Sequence, residues 1–512
     1  MAAPYLIGID VGTSSAKAVL IDATGQVLAT AAPEYPFQTP KPLWAEADPA
    51  DWWAATRKAI PAVIEQAGID GRDVAGIGLT GQMHGLVLLD EAGDVLRPCI
   101  MWNDQRTARQ CAAITEAIGA GQVLEITGNP VLPGFTAPKI AWVRDNEPEV
   151  YAQAARVLLP KDYIRYKMTG AFATDVSDAS GMALLDVAKR QWSDTMLDGC
   201  GIPKAWMADV LESAEVSGTV SEAVADDLGL RAGIPVAAGG GDQAAQAVGC
   251  GIVREGVVSA TFGTSGVVFA HSKQYRVEPQ GRLHAFCAAV PGEWHLMGVM
   301  LSAAGSFQWY RNTLAGEEMA EAKATGKDAY DLLTAAAAEV PAGSEGLFFL
   351  PYLSGERTPH PDPNAKGAFV GLSLRHGKAH LTRAVLEGVT YGMRDSLELM
   401  RELGIAPETI IASGGGAKSP FWRQMMADVF GCRIQLVNAT EGAAFGAALL
   451  GGVAAELFAD VPAAVDATIQ VTGETRVDAG TRAVYDQFYP EYRALYPALK
   501  DRFAAVADLQ AE

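Results

Sequence analysis

Residues 8–22 read "GIDVGTSSAKAVLID", and this stretch decides the fold. Two apolar, strand-like runs flank the turn "GTSS". A plain hairpin needs only a two-residue turn such as Asn-Gly. Here the turn follows a carboxylate, Asp10, and carries Gly12 and then the hydroxyls of Thr13, Ser14 and Ser15. Glycine lets backbone N–H groups approach an anion closely, and hydroxyls add donors. Asp10 would repel phosphate oxygens, but it can hold the Mg2+ that accompanies them, directly or through water. The plainer reading is a capped β-turn.

The pattern recurs in "SATFGTSGVVFA", residues 259–270. Gly12, Thr13 and Ser14 correspond to Gly263, Thr264 and Ser265, 251 residues further on. Gly-Thr-Ser is a common turn composition, so the triplet alone would be coincidence. The apolar strands on both sides each time make duplication the better reading. Repeat arrays have periods of roughly 20–50 residues, so a half-chain offset means two similar domains. The break falls near residue 250, within "IPVAAGGGDQAAQAVGCGIVREG", dividing the chain into 1–249 and 250–512. Two such hairpins, one per domain, could clasp a triphosphate between them.

The bulk numbers agree. A chain of 512 residues suggests about two to four domains. Strand-like runs alternate with helical ones such as "DPADWWAATRKAIPAVIEQAG", where Asp48 is the expected N-cap and Pro49 the first helical residue. That alternation means an α/β architecture. A net charge of −20 argues against nucleic acid and anionic membrane as partners. "MAAPYLIGID" has no basic n-region, and no run is long enough to span a membrane, so a cytoplasmic protein is expected. Cys99, Cys111, Cys200, Cys250, Cys287 and Cys432 form no CxxC pair and read as reduced thiols. Phe488, Tyr492, Tyr496, Leu499 and Phe503 recur at helical spacing and read as a packing face.

Several motifs are absent or misleading. There is no GxxxxGK[ST] and no HExxH. "GIGLTG" (residues 76–81) matches GxGxxG, but a strand-like run follows it instead of the helix a dinucleotide site needs. "AAGGGDQAAQAVG" is more informative. A strand runs into Gly239, Gly240 and Gly241, then Asp242 opens an alanine-rich helix. A carboxylate there is stabilised by the helix dipole and could be an ordinary N-cap. Three glycines are costly for a cap and suggest that another molecule approaches this backbone. Asp242 could then take the proton of a hydroxyl attacking phosphorus. "IIASGGGAKSPFWRQMMADVF" repeats strand, Gly414, Gly415 and Gly416, and helix. The glycines could offer a flat surface to an adenine or a ribose, or simply make a flexible turn. "TGQMHG" sets Met83 and His84 before a strand. "WNDQR" puts an aromatic, Trp102, together with an amide and the charges of Asp104 and Arg106. Both suit a polyhydroxylated ligand, and equally a structural role.

In order along the chain, "GIDVGTSSAK", "GQMHG", "WNDQR", "PGFTAPK", "LLPKDY", "GGGDQAAQAVG", "FGTSG", "LPYLSGERTPH" and "GGGAKS" resemble the FGGY carbohydrate kinase family. Residues 367–388 fit its second signature, and the resemblance spans roughly residues 5–450. It implies two actin-like, ribonuclease-H-like domains flanking a central catalytic cleft, the first binding the sugar and the second the nucleotide. It implies ATP and Mg2+ as cofactors, a small sugar as partner, and allows a homodimer. Asp242 would be the catalytic base and Asp10 the metal residue. Met83, His84, Trp102, Asp104, Arg106 and Gln243 would serve the sugar. Gly12, Thr13, Ser14, Lys17, Gly263, Thr264, Gly414, Gly415, Gly416 and Ala417 would serve ATP.

The Gln-Met-His stretch resembles members that phosphorylate D-xylulose at O5. The arginine–glutamate pair of glycerol kinases is missing. Gln243 departs from the asparagine usual after the catalytic aspartate, which leaves another ketose such as ribulose, or a polyol, as an alternative substrate. A non-catalytic actin-like ATPase is the alternative of a different class.

Overall fold

Each apolar run beside a Gly-Thr-Ser turn folds as a strand. The computed structural model describes residues 4–438 and 441–511. In it, β1 (Tyr5–Val11) and β2 (Ala16–Asp22) form an antiparallel hairpin, closed by Gly12 N–H donating to Ser15 O at 3.0 Å. Leu6, Ile7, Ile9 and Val11 are all buried. Both faces of β1 are covered, so its sequence reads as a continuous apolar run rather than an alternation.

The hairpin belongs to a seven-stranded sheet. With β3 (Val27–Ala31), β4 (Val74–Gly81), β5 (Val216–Thr219) and β6 (Pro235–Ala237), its order is β5-β6-β4-β1-β2-β3. The two-residue strand Gly240–Gly241 extends it beside the end of β4. The second half repeats the plan with β7 (Val257–Phe262), β8 (Gly266–Ser272), β9 (His284–Cys287), β10 (Trp294–Met300), β11 (Thr409–Ser413), β12 (Arg433–Val437) and β13 (Val471–Thr475). Its order is β9-β10-β8-β7-β11-β12-β13. In each half the first hairpin is antiparallel, its first strand runs parallel to the next inner strand, and the far outer strand is antiparallel. The duplication inferred from two turns is therefore a duplication of sheets.

Helix α1 (Pro49–Ala67) packs on β2 and β3; Asp48 caps it by accepting from Ala50 N–H, as expected. Helix α2 (Asp242–Gly249) leaves the first sheet. Helix α3 (Lys378–Glu402) backs the second. Helix α4 (Gly442–Ala454), although late in the chain, packs on β1 and β4 of the first sheet and against α2. The approach is close. A Cβ on Gly8 would lie 1.8 Å from Ala444 O, and one on Gly78 1.8 Å from Ala447 O. Gly76 and Gly78 of "GIGLTG" thus serve helix packing, and β4 continues to Gly81 with no helix after it.

Between β4 and β5 the chain builds a mostly helical layer. Its apolar core takes in Phe286 and Met297 from the second half, so the halves also meet there. The last helix, α5 (Ala479–Ala511), buries Tyr485, Tyr489 and Tyr492, with Phe488, Tyr496, Leu499 and Phe503 packed beside them. All six cysteines are buried and unpaired. Among the described residues no helix is long and apolar enough to cross a membrane.

Candidate active site

The sheet register brings the two acids of the sequence reading together. Asp10, Thr80 and Gly240 align across β1, β4 and the short extension, and so do Val11, Gly81 and Gly241. Asp242 is the next residue and the first of α2. Its Oδ1 accepts from Gln243 N–H at 2.6 Å. Gly241 is the N-cap, so Asp242 is not the capping aspartate of the plainer reading. Burial first, then the charge of Asp10, pushes Asp242 up to about 7. Burial also raises Asp10, against the pull of Lys17.

The glycines before Asp242 also answer to this chain's own atoms. Gly239 has φ +82°, and a Cβ there would stand 2.1 Å from Leu79 O. A Cβ on Gly241 would stand 2.9 Å from Met83 Sδ. The second contact matters for function because it ties "TGQMHG" to Asp242. Met83 itself is buried.

His84 follows in a left-handed conformation, φ 70°, which few non-glycine residues adopt. Four contacts hold it. Its carbonyl accepts from Thr136 Oγ1 at 3.0 Å and from Lys139 Nζ at 2.8 Å. Its ring stacks on Phe135, with centroids 4.7 Å apart. Its Nδ1 lies 2.7 Å from Gly181 O. Burial, with the Lys139 ammonium nearby, pushes His84 down to about 3, so the ring is neutral. A carbonyl partner at Nδ1 needs the ring proton there, which leaves Nε2 as an acceptor.

His84 lines a cavity of about 400 Å³ between the halves. Trp102, Asn103, Gln105 and Phe135 come from one side, and Arg282, His284, Phe286 and Arg357 from the other. The lining contains no Asp or Glu, and burial lowers His284 to about 4.

"WNDQR" divides by position. Trp102, Asn103 and Gln105 face the cavity. Asp104 and Arg106 do not: they pair at 2.6 Å, fully buried, and Arg106 also reaches Glu46 at 2.8 Å. The Arg106 guanidinium lies 3.6 Å from the ring centre of Trp44, and Asp104 accepts from Ala45 N–H at 2.7 Å. Their place is to brace the segment that carries the amides.

Both Gly-Thr-Ser turns are anchored. Gly12 O accepts from Tyr35 Oη at 2.6 Å and Gln82 Nε2 at 3.0 Å, while Thr13 Oγ1 accepts from Trp102 Nε1 at 3.1 Å. Ser14 is exposed. Lys17 pairs with Glu441 at 3.2 Å, just before α4. In the second turn, Gly263 O accepts from Ala304 N–H at 2.8 Å and Thr264 O from Ala303 N–H at 2.9 Å. The register of β7 and β11 sets Thr261 beside Ser413, so this turn adjoins Gly414.

The three glycines that follow β11 differ. Gly414 has φ +83° with Phe262 O crowding it, Gly416 is closed in by Phe262 and Trp422, and Gly415 faces open space. Gly415 and Gly416 line a second cavity of about 290 Å³ with Phe307, Tyr330, Lys418 and Trp422. Ala417 is buried behind them.

Sequence reasoning missed Asn103, Gln105, Arg357 and the positioning residues Lys139 and Thr136. All lie in stretches quoted above, but no periodicity distinguishes them there. Among the described residues no three His, Cys, Asp or Glu groups cluster as a metal site. Mg2+ bound with nucleotide needs only one or two carboxylates beside the phosphates, and Asp10, beside the Gly12 turn, is a carboxylate that fits that requirement.

A doubled sheet with an anchored Gly-Thr turn in each half, and a polar cavity between them, defines an actin-like ATPase fold of the sugar-kinase type. The chain belongs to the FGGY family of carbohydrate kinases: the family's N-terminal domain matches residues 5–249 and its C-terminal domain residues 258–455. The chain is 46% identical over 450 residues to the xylulose kinase of Escherichia coli, covering 88% of this chain and 90% of that one. It superposes on the xylulose kinase of Rhodospirillum rubrum with a TM-score of 0.91 and 33% identity, covering 98% and 100% of the two chains. The gluconate kinase of Lactobacillus acidophilus matches with a TM-score of 0.91 and 28% identity over 99% and 100%.

Proposed function

We propose that the protein transfers the γ-phosphoryl group of ATP to O5 of D-xylulose, giving D-xylulose 5-phosphate and ADP. The observation that carries this reading is the contact of Met83 with Gly241. It links His84, the neutral acceptor that lines the cavity, to the strand end that carries the raised carboxylate of Asp242. The likeness to two xylulose kinases supports the choice of sugar.

Residues 1–249 would be mainly the sugar domain and 250–512 mainly the nucleotide domain, with each half also contributing to the other's ligand. His84 Nε2, Asn103 and Gln105 bind sugar hydroxyls, Trp102 covers them, and Gln243 meets the reacting end. Asp242 takes the proton of the 5-hydroxyl as its oxygen bonds to Pγ and the bond from Pγ to the ADP oxygen breaks. The turns at Gly12 and Thr13 and at Gly263 and Thr264 present backbone and hydroxyl donors to the phosphates. Gly415 and Gly416 offer a side-chain-free surface to the adenosine. Asp10 would hold Mg2+, which when bound neutralises phosphate charge. Lys17 reaches a phosphate only on leaving Glu441. The unpaired buried thiols support a cytoplasmic setting. The assembly, a homodimer on family grounds, is read by sedimentation.

A second reading has one observation in its favour. Arg282 and Arg357 line a cavity without acids, which suits a sugar acid such as gluconate. A coupled ADP-release assay over ketoses, polyols and aldonates decides between them. D-Xylulose is expected to have the highest kcat/KM, and a preference for gluconate would transfer the proposal to the acid.

A further inference from the structure

Behind Asp242 lies a charged network that the reaction above does not use. Lys161, Asp162 and Arg165 lie on the helix Pro160–Thr169, Asp175 ends the strand Ala173–Asp175, and Ser177 and Asp178 lie on the turn Val176–Ala179. All six are fully buried. Lys161 Nζ pairs with Asp162, with Asp175 Oδ1 at 2.9 Å and with Asp178 Oδ2 at 3.4 Å. Arg165 Nη2 pairs with Asp162 at 3.0 Å. Two cations thus face three carboxylates. Burial pushes Asp178 well above the carboxylate range against the pull of Lys161, and Asp162, Asp175 and Asp242 add to the rise.

Buried ions are costly and carry weak stability, so their connections matter more than their number. Two of these lead to the strand end before Asp242. Arg165 Nη1 donates to Ala238 O at 2.8 Å. Gly241 N–H donates to Ser177 Oγ at 3.1 Å, and Ser177 Oγ donates in turn to Asp175 Oδ2 at 2.5 Å. Ser213 Oγ also donates to Asp175 Oδ2, at 2.9 Å; the Ser213 carbonyl accepts from Gly239 N–H at 2.9 Å, but its hydroxyl makes no hydrogen bond to residues 238–241. The segment is therefore held at both ends, and at Gly241 by the peptide adjoining the base.

We propose that Ser177, fixed by Asp175 and Lys161, is a positioning residue that sets the place of the Asp242 carboxylate. The inference rests on the reading of Asp242 as the base. A base displaced by a fraction of an ångström loses rate more than binding, because only the transition state requires the exact approach. The loss should fall on kcat and leave both Michaelis constants alone.

The test compares Ser177→Ala with Ser213→Ala, each of which removes one buried hydroxyl from Asp175, alongside Asp242→Asn. Melting temperature, kcat, and KM for D-xylulose and ATP are measured on the full chain. Ser177→Ala should lower kcat about tenfold or more, with both KM values within about twofold. Ser213→Ala should melt lower by a similar amount and keep its kcat. If Ser177→Ala fails to fold, Ser177→Cys, with a weaker donor and acceptor, should show a smaller loss of the same kind. Equal kcat in the Ser177 and Ser213 variants, or a Ser177 loss that appears in KM, would overturn the proposal while Asp242→Asn remains inactive. An active Asp242→Asn would overturn the base assignment and this inference with it.

Discussion

Asp10 and Asp242 lie at the same end of the first sheet, near enough for the charge of one to act on the other. After burial, the charge of Asp10 is what lifts Asp242 to about 7. A base works only when ionised, so kcat/KM for the sugar should rise with pH around a midpoint near that value. Asp10→Asn removes a like charge and should move the midpoint down, while lower activity reports the weakened metal site. A pH–rate profile at saturating nucleotide checks both. A wild-type midpoint in the ordinary carboxylate range would refute the electrostatic account.

The burial of Asp242, with the nearby charge of Asp10, costs stability. Asp242 holds its proton more tightly in the folded chain, at about 7, than at the ordinary 3.8. Folding stability therefore falls as pH rises from 3.8 through about 7, and the deficit persists above that. Asp242→Asn removes it. At about pH 8 the variant should melt higher than wild type by ~2 °C or more, and near about pH 4 the two should converge. Calorimetry at the two pH values reads the difference; an equal offset at both would mean the effect is not ionisation.

Gly181 seats His84. A Cβ there would stand 2.4 Å from His84 Nδ1 and 3.0 Å from Met83 Cε. Gly181→Ala should displace the ring and raise KM for the sugar by about tenfold, the scale of one lost buried hydrogen bond. KM for ATP should stay unchanged. Equal rises in both constants would show that His84 is structural.

The nucleotide glycines separate in the opposite sense. Nothing lies within 4 Å of a Cβ on Gly415, whereas Gly414 has a positive φ and Phe262 O at 2.6 Å. Gly415→Leu should fill the second cavity and raise KM for ATP about tenfold or more, with little change in melting temperature. Gly414→Ala should melt lower, since the left-handed conformation alone costs roughly 1–2 kcal/mol. An unchanged ATP constant in Gly415→Leu would move the adenosine elsewhere.

The hairpins, the duplication, the Asp48 cap and the placing of Asp242 were legible because each rests on local pattern: apolar runs, turn chemistry and a strand entering a helix. The site was legible only in part. In "WNDQR" every residue is polar or amphipathic, so composition does not tell Asn103 and Gln105, which face the cavity, from Asp104 and Arg106, which turn to Trp44 and Glu46. That choice is made by residues far off in the chain. Lys161, Asp175 and Ser177 were hidden for a related reason: charged residues read as surface, and only the folded packing reveals them buried together. The glycines before Asp242 were recognised as required, and their close neighbours within the chain, Leu79 O at Gly239 and Met83 at Gly241, come from a strand and a turn that local pattern does not connect to them.

ADP release from Mg-ATP with and without D-xylulose, for wild type and Asp242→Asn, tests the central claim most directly. The wild type should turn over only with sugar, and the variant should lose about 10²–10⁴-fold, the usual contribution of a general base. Sugar-independent ADP release by the wild type, or near wild-type turnover by Asp242→Asn, would contradict it.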